Sequence, residues 1–256
     1  MKVLRLDRII ENIIQFAKDA GKNKVLKRIM KPLWTPIRQR LDKMVSNNTL
    51  EQISSFHKKG LLVLKDFTDA LDQININYTL AFGTMLGAVR EHGFIKHDLD
   101  IDLMIWIEEY SEIIPERLKK AGFELVKNYT VDDRETGYEE TYKRDGIGID
   151  VFYLYTQDDG LPYCCDFLTF PDCASIEYSI KRHGGLMPRK LELPYTKERK
   201  KVIFENLELY IPDNAHEILR FRYGDDYMIP NTNWGISSYD NHISIMEGKV
   251  GIYKHF

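Results

Sequence analysis

Three aspartates, Asp98, Asp100 and Asp102, alternate with Leu99 and Ile101. Side chains two apart share a face of an extended chain, so the pattern predicts a strand over Leu99–Ile107 with one apolar and one acidic face. Three neighbouring carboxylates repel one another, and a fold that keeps them there must supply compensating positive charge. A divalent cation does this, because hard cations prefer carboxylate oxygens and outweigh their mutual repulsion. A calcium loop is excluded, since the downstream glycine and glutamate that it requires are missing. The cluster therefore reads as a metal site of the Mg2+ type in preference to a solvated strand end.

Two further features complement it. Gly83-Thr84 follows a short aromatic run, Tyr78–Phe82, that reads as a strand, and precedes a short helix, Thr84–Glu91, for which Thr84 is a candidate N-cap. Glycine there lets the backbone approach a ligand, and free N–H groups at a helix start favour an anion. Together with the aspartates, this turn predicts a polyphosphate held between backbone donors and metal. Asp150 lies within GIGIDVFYLY among Ile147, Ile149, Val151, Phe152 and Leu154, where an unpaired acid is costly to bury. Either Arg144 or another base neutralises it, or it shares a metal with the first cluster and takes a proton from an attacking hydroxyl.

The remaining pattern is mixed. A long amphipathic helix is expected from about Leu50 to Ile76, another helix over Ser111–Ala121, and strands over Glu124–Lys127, Glu139–Arg144 and Ile147–Tyr155. Asp145-Gly146 marks a hairpin between the last two. Val202–Ile211 reads as a strand or hairpin, and Asn214–Tyr223 as a helix ended by Gly224. The stretch from 156 to 201 and the end beyond Asp225 read as short or irregular segments. Strands and helices without strict alternation favour an α+β fold with a mixed sheet.

A net charge of −3 argues against a nucleic-acid partner. That charge is unevenly spread: residues 1–43 hold twelve Lys/Arg against four Asp/Glu, leaving 24 against 35 for the rest. This basic, amphipathic start reads as a helical arm over residues 1–48, ahead of a catalytic domain over 49–256. The arm is either a solvated face packed on the body or a peripheral surface resting on anionic lipid. No run is long and apolar enough to span a bilayer, and the start lacks the form of a signal peptide. Three cysteines cannot complete a disulfide framework, so a cytoplasmic setting is expected. Cys164, Cys165, Cys173 and His183 carry zinc-ligand chemistry at a spacing that fits no standard finger, and free thiols are the plainer reading. Tyr142, Tyr153, Tyr155, Tyr163 and Trp234 form either ordinary core or a cation–π pocket for a quaternary ammonium.

The run GTMLGAVREHGFIKHDLDID resembles the signature of the LicD family, which includes bacterial phosphocholine transferases and the relatives of fukutin and fukutin-related protein. The similarity continues at Asp150-Val151-Phe152 and in IPDNAHEILRFRYGDDYMIP, and spans roughly residues 50–232. It implies a nucleotidyltransferase-like mixed sheet flanked by helices, with Mg2+ or Mn2+ as cofactor and a CDP-linked alcohol such as CDP-choline as donor. The acceptor it implies is a sugar hydroxyl of a cell-surface glycan or its lipid-linked precursor.

By the same resemblance, Gly83 and Thr84 match the phosphate-gripping turn, Asp100 and Asp102 the metal-binding pair, and Asp150 the third acid. Asp98 matches the opening acid of the cluster. Arg90 matches the arginine of GAVR, as a phosphate contact or a structural ion pair. The sequence departs from the family where Lys96-His97 replace Pro-Trp, where Leu99 replaces an acid, and where Ala81-Phe82 precede Gly83 in place of a second glycine. The expected activity is transfer of phosphocholine or a related phospho-alcohol. The alternatives are a nucleotidyltransferase that moves a nucleotide from an NTP, and a catalytically silent binding module.

Overall fold

A computed structural model describes residues 53, 56–96, 98–230 and 242–256. The expected 1–48 arm, with both readings of its surface, lies outside the described residues, as do His97 and Trp234. The chain divides into two units, of which the second, Phe56–Phe256, holds the sheets and the acidic cluster.

The fold is α+β. Its centre is a mixed six-stranded sheet. In chain order the strands that build it are β1 (Tyr78–Leu80), β2 (Asp102–Trp106), β3 (Glu124–Val131), β4 (Gly137–Arg144), β5 (Ile147–Leu154) and, at the far end of the chain, Ile252–His255. Their spatial order is β1-β2-β5-β4-β3 with the C-terminal strand at the edge. β2 and β5 run parallel and the other neighbours antiparallel. Asp145 and Gly146 both have positive φ, 53° and 85°, as the two-residue turn between twisted strands requires. That turn fixes the β4–β5 register, with Arg144 opposite Ile147 and Thr141 opposite Asp150.

Alternation along β5 separates the two faces. Ile147, Ile149, Val151 and Tyr153 are buried, whereas Gly148, Asp150 and Phe152 are half-buried. Helix α1 (residues 56–72) covers the first of these faces. Its Phe67 meets Phe123 and Tyr142 edge-on, with ring centroids 4.9 and 5.6 Å apart. The same face buries Glu140, whose carboxylate accepts hydrogen bonds from Tyr138 (2.8 Å) and Tyr153 (2.7 Å). Burial raises its pKa and these hydroxyls oppose the rise. Tyr142 and Tyr153 are thus core residues, and Tyr155 and Tyr163 stack on one another at 5.4 Å. The plainer reading of these aromatics holds.

Helix α2 (Phe82–Arg90) links β1 to the acidic segment, and α3 (Ile113–Lys120) links β2 to β3. The stretch whose pattern reads as fragmentary contains a second sheet, β10-β7-β6, from Tyr163–Leu168 (β6), Met187–Glu192 (β7) and Ile243–Ile245 (β10). Helix α4 (Ile176–His183) lies between β6 and β7 in the chain. The hairpin of β8 (Arg199–Phe204) and β9 (Leu207–Pro212) and helix α5 (Ala215–Tyr223) follow, before the closing strand β11 (Ile252–His255).

Candidate active site

The acidic segment differs from its expected form. The strand begins at Asp102, not Leu99, and residues 98–101 are irregular. Leu99 is exposed, although Ile101 is fully buried. Ile101 still enters the sheet, accepting the Asp150 N–H at 2.8 Å. Irregular backbone relieves the crowding that a regular strand would force on three like charges. The carboxylates nonetheless remain together. Asp98 is hydrogen-bonded to Asp100, and both act electrostatically on Asp102.

Asp102 and Asp150 face each other across the parallel β2–β5 pair. Asp102 is buried, and its pKa is held well above the usual range by that burial and then by Asp100, Asp150, Asp98 and Glu139. Asp98 is raised to about 7 by burial, the Asp100 hydrogen bond and the Asp100 charge. Burial also raises Asp150, against the hydrogen bond from Thr141 and the charge of Lys127. Thr141 Oγ1 donates to Asp150 Oδ1. Arg144 does not neutralise Asp150: it bonds Asp66 at 2.6 Å and the Ala121 carbonyl at 3.1 Å.

The turn before the cluster also acts differently from expectation. Helix α2 starts at Phe82, with Ala81 as N-cap and no side-chain cap, so Thr84 does not cap it. Thr84 is buried within the helix, and its Oγ1 accepts the backbone N–H of Asp102 at 2.9 Å. Ala81 N–H donates to the Asp102 carbonyl at 3.0 Å. Gly83 is the second residue of the helix, and a Cβ there would collide with Asp98 Oδ2. The close approach expected at this glycine is made, in this structure, by a carboxylate. Arg90 pairs with Glu91 at 2.9 Å and donates to the Tyr227 carbonyl at 3.2 Å, an arrangement of the structural kind.

The remaining glycines of the signature shape the scaffold. A Cβ on Gly87 would strike the Gly93 carbonyl. Phe94, which follows that turn, packs edge-on against Phe56 (5.1 Å) and Phe204 (4.8 Å).

Sequence reasoning missed Glu139, Thr141 and Lys127. Glu139 is buried, and its pKa is pushed up to about 8 by burial and by Asp150, against the pull of Lys127. For Lys127, burial works against the charge, but Tyr129, Asp150 and Glu139 outweigh it and raise its pKa. Tyr223, at the end of α5, lies close enough to Asp102, Asp98 and Asp100 for their charges to raise its pKa beyond the effect of burial. Two signals were available: the acidic pair Glu139-Glu140 in an otherwise strand-like run, and the hairpin register that sets Thr141 opposite Asp150.

The donor set fits a hard divalent cation. Every leading charge acting on Asp102 is another carboxylate, and oxygen-only ligands are those Mg2+ and Mn2+ prefer.

The family description "LicD/FKTN/FKRP, nucleotidyltransferase domain" matches residues 75–214. The chain belongs to the LicD family. Among similar proteins, the ribitol-5-phosphate transferase FKTN of Homo sapiens is 24% identical over 192 residues, covering 74% of this chain and 37% of the human protein. The Mus musculus protein of the same name is 23% identical over 196 residues, 76% and 38% of the two chains. An uncharacterized Caenorhabditis elegans protein is 32% identical over 112 residues, 43% and 30%. The chain thus spans little more than a third of the length of the FKTN relatives. Within the LicD match lie Gly83, Thr84, Arg90, the aspartate cluster, Glu139 and Asp150. Among the described residues, no helix is long and apolar enough to cross a membrane.

Proposed function

We propose that this chain transfers a phospho-alcohol from a CDP-linked donor to a sugar hydroxyl of a glycan or its lipid-linked precursor, with Mg2+ or Mn2+ as cofactor. The observation that carries the reading is Asp102, buried opposite Asp150, with the charges of Asp150, Asp100, Asp98 and Glu139 all bearing on it. Such a cluster of carboxylates would be balanced by divalent cations, whose charge outweighs their mutual repulsion. The names of the FKTN relatives support a sugar-alcohol phosphate as the transferred unit. The tyrosines that offered a choline pocket are committed to the core, which favours a polyol phosphate over phosphocholine.

In this reading Asp98, Asp100, Asp102 and Asp150 hold the metal, which would neutralise charge developing on the transferred phosphoryl group. Asp150, oriented by Thr141, accepts the proton of the attacking hydroxyl. Gly83 keeps the backbone close to Asp98, and Thr84 fixes the start of β2, so both act by positioning.

The test is CMP release from CDP-ribitol, CDP-glycerol, CDP-choline and CDP-ethanolamine with Mg2+. CMP release from one of them, lost in Asp100→Asn and Asp150→Asn, is expected. Pyrophosphate release from an NTP instead would favour nucleotidyl transfer, and full turnover in either variant would overturn the site.

A further inference from the structure

Away from the acidic cluster, Asp172, Cys173 and His183 bring a carboxylate oxygen, a thiol sulfur and an imidazole nitrogen within 4.8 Å of one another. We propose that these three side chains form a zinc site, with a fourth position open to water. Against the plainer free-thiol reading, zinc-ligand chemistry thereby falls on Cys173 and His183, while Cys164 and Cys165 are buried within β6 and take no part.

The spacing is that of ligands around one ion. His183 Nε2 lies 2.9 Å from Asp172 Oδ1, and Cys173 Sγ lies 3.4 Å from the same oxygen. Tetrahedral zinc separates nitrogen from oxygen by about 3.4 Å and sulfur from oxygen by about 3.6 Å. The two separations from Asp172 Oδ1 are shorter than these by about 0.5 Å and about 0.2 Å, and the sulfur and nitrogen lie within 4.8 Å of each other.

The scaffold holds both halves of the site in place. Cys173 N–H donates to the Phe170 carbonyl at 2.9 Å, fixing the turn. The Phe170 ring stacks on His183 at 4.1 Å. Buried Ser179 ties turn and helix together, accepting the Phe170 N–H at 3.4 Å and donating to the Gly185 carbonyl at 2.7 Å. Arg182 holds the other oxygen, Asp172 Oδ2, at 3.0 Å. That is the outer contact that orients a carboxylate ligand and leaves one oxygen for metal.

Without metal, the Cys173 thiol donates to Asp172 Oδ1. Binding forms the Zn–S bond and releases the thiol proton to solvent. The ion would replace the hydrogen bonds to Asp172 Oδ1 and brace β6, the turn and α4 as one unit.

The test uses the full chain titrated with Zn2+ against a chromophoric chelator, and with Co2+ read by its thiolate-to-metal charge-transfer band. With excess Mg2+ present to fill the acidic cluster, one equivalent of Zn2+ and a thiolate band are expected. Cys173→Ser should abolish the band and weaken zinc by at least about tenfold, His183→Ala should weaken it similarly, and Arg182→Gln should weaken it about tenfold. Asp102→Asn should leave the band unchanged, which separates this site from the acidic cluster. No thiolate band in the wild type, or one that survives Cys173→Ser, would overturn the proposal.

Discussion

At the scale of single residues, the site is organised by where charge is left unbalanced. Glu140 and Glu139 are adjacent in β4 and both buried, yet they have opposite surroundings. Glu140 is satisfied by tyrosine hydroxyls on the core face, whereas Glu139 faces Asp150 and is opposed only in part by Lys127. The expected outcome for Glu139→Gln is a fold that survives, weaker Mg2+ binding and at least about tenfold lower kcat/KM, in line with loss of an outer partner at a metal site. Calorimetric Mg2+ titration beside steady-state kinetics checks both, and unchanged values for both would make Glu139 structural. Thr84 is read the same way. Thr84→Val removes the acceptor of the buried Asp102 N–H and should cost about 1–3 kcal/mol in chemical denaturation, while Thr84→Ser retains it.

At the scale of elements, α2 is entered through an unusual backbone. Phe82 has φ +41°, in the left-handed region that a bulky residue occupies at a cost, yet its ring meets Phe152 edge-on at 4.9 Å. A glycine at this position would carry no such cost. Phe82→Ala and Phe82→Gly both lose the ring contact, but only glycine releases the strain. The glycine variant should therefore be about 1 kcal/mol more stable than the alanine variant, reversing the usual order. Equal denaturation midpoints would show the strain to be negligible. The same elements show what was legible in advance. Asp145-Gly146 announced its hairpin because two positive-φ residues suit few other structures. The pairing of Thr141 with Asp150 could be counted from that turn. The starts of α2 and β2 were misread because the decisive partners are distant: Thr84 meets Asp102 eighteen residues on, and Gly83 meets Asp98. β6, α4 and β7 went unseen because Pro171, Gly184 and Gly185 interrupt the periodicity, while their stability comes from contacts formed in the second sheet.

At the scale of the whole molecule, the acidic cluster links stability to pH and, under the proposed function, to metal. Asp98 is raised to about 7 and Glu139 to about 8, both above their values of roughly 4 in an unfolded chain. A raised folded pKa favours the protonated native state. The stability from these groups is therefore fully present below about pH 4 and is lost as pH rises through about 7 and 8. Without metal, melting temperature should fall between pH 6 and pH 9. A cation that binds only the native cluster reverses the trend, because the deprotonated carboxylates become its ligands. At one hundred times its dissociation constant it adds about 2.7 kcal/mol, or roughly 5–10 °C for a domain of this size. Asp102→Asn removes a central repulsion, so it should raise the metal-free melting temperature at pH 9 and blunt the Mg2+ response. Scanning calorimetry in chelator and in Mg2+, at pH 6 and pH 9, distinguishes these outcomes. A wild-type melting temperature indifferent to Mg2+ at both would mean that the cluster balances its charge without a cation, and the proposed chemistry would lose its support.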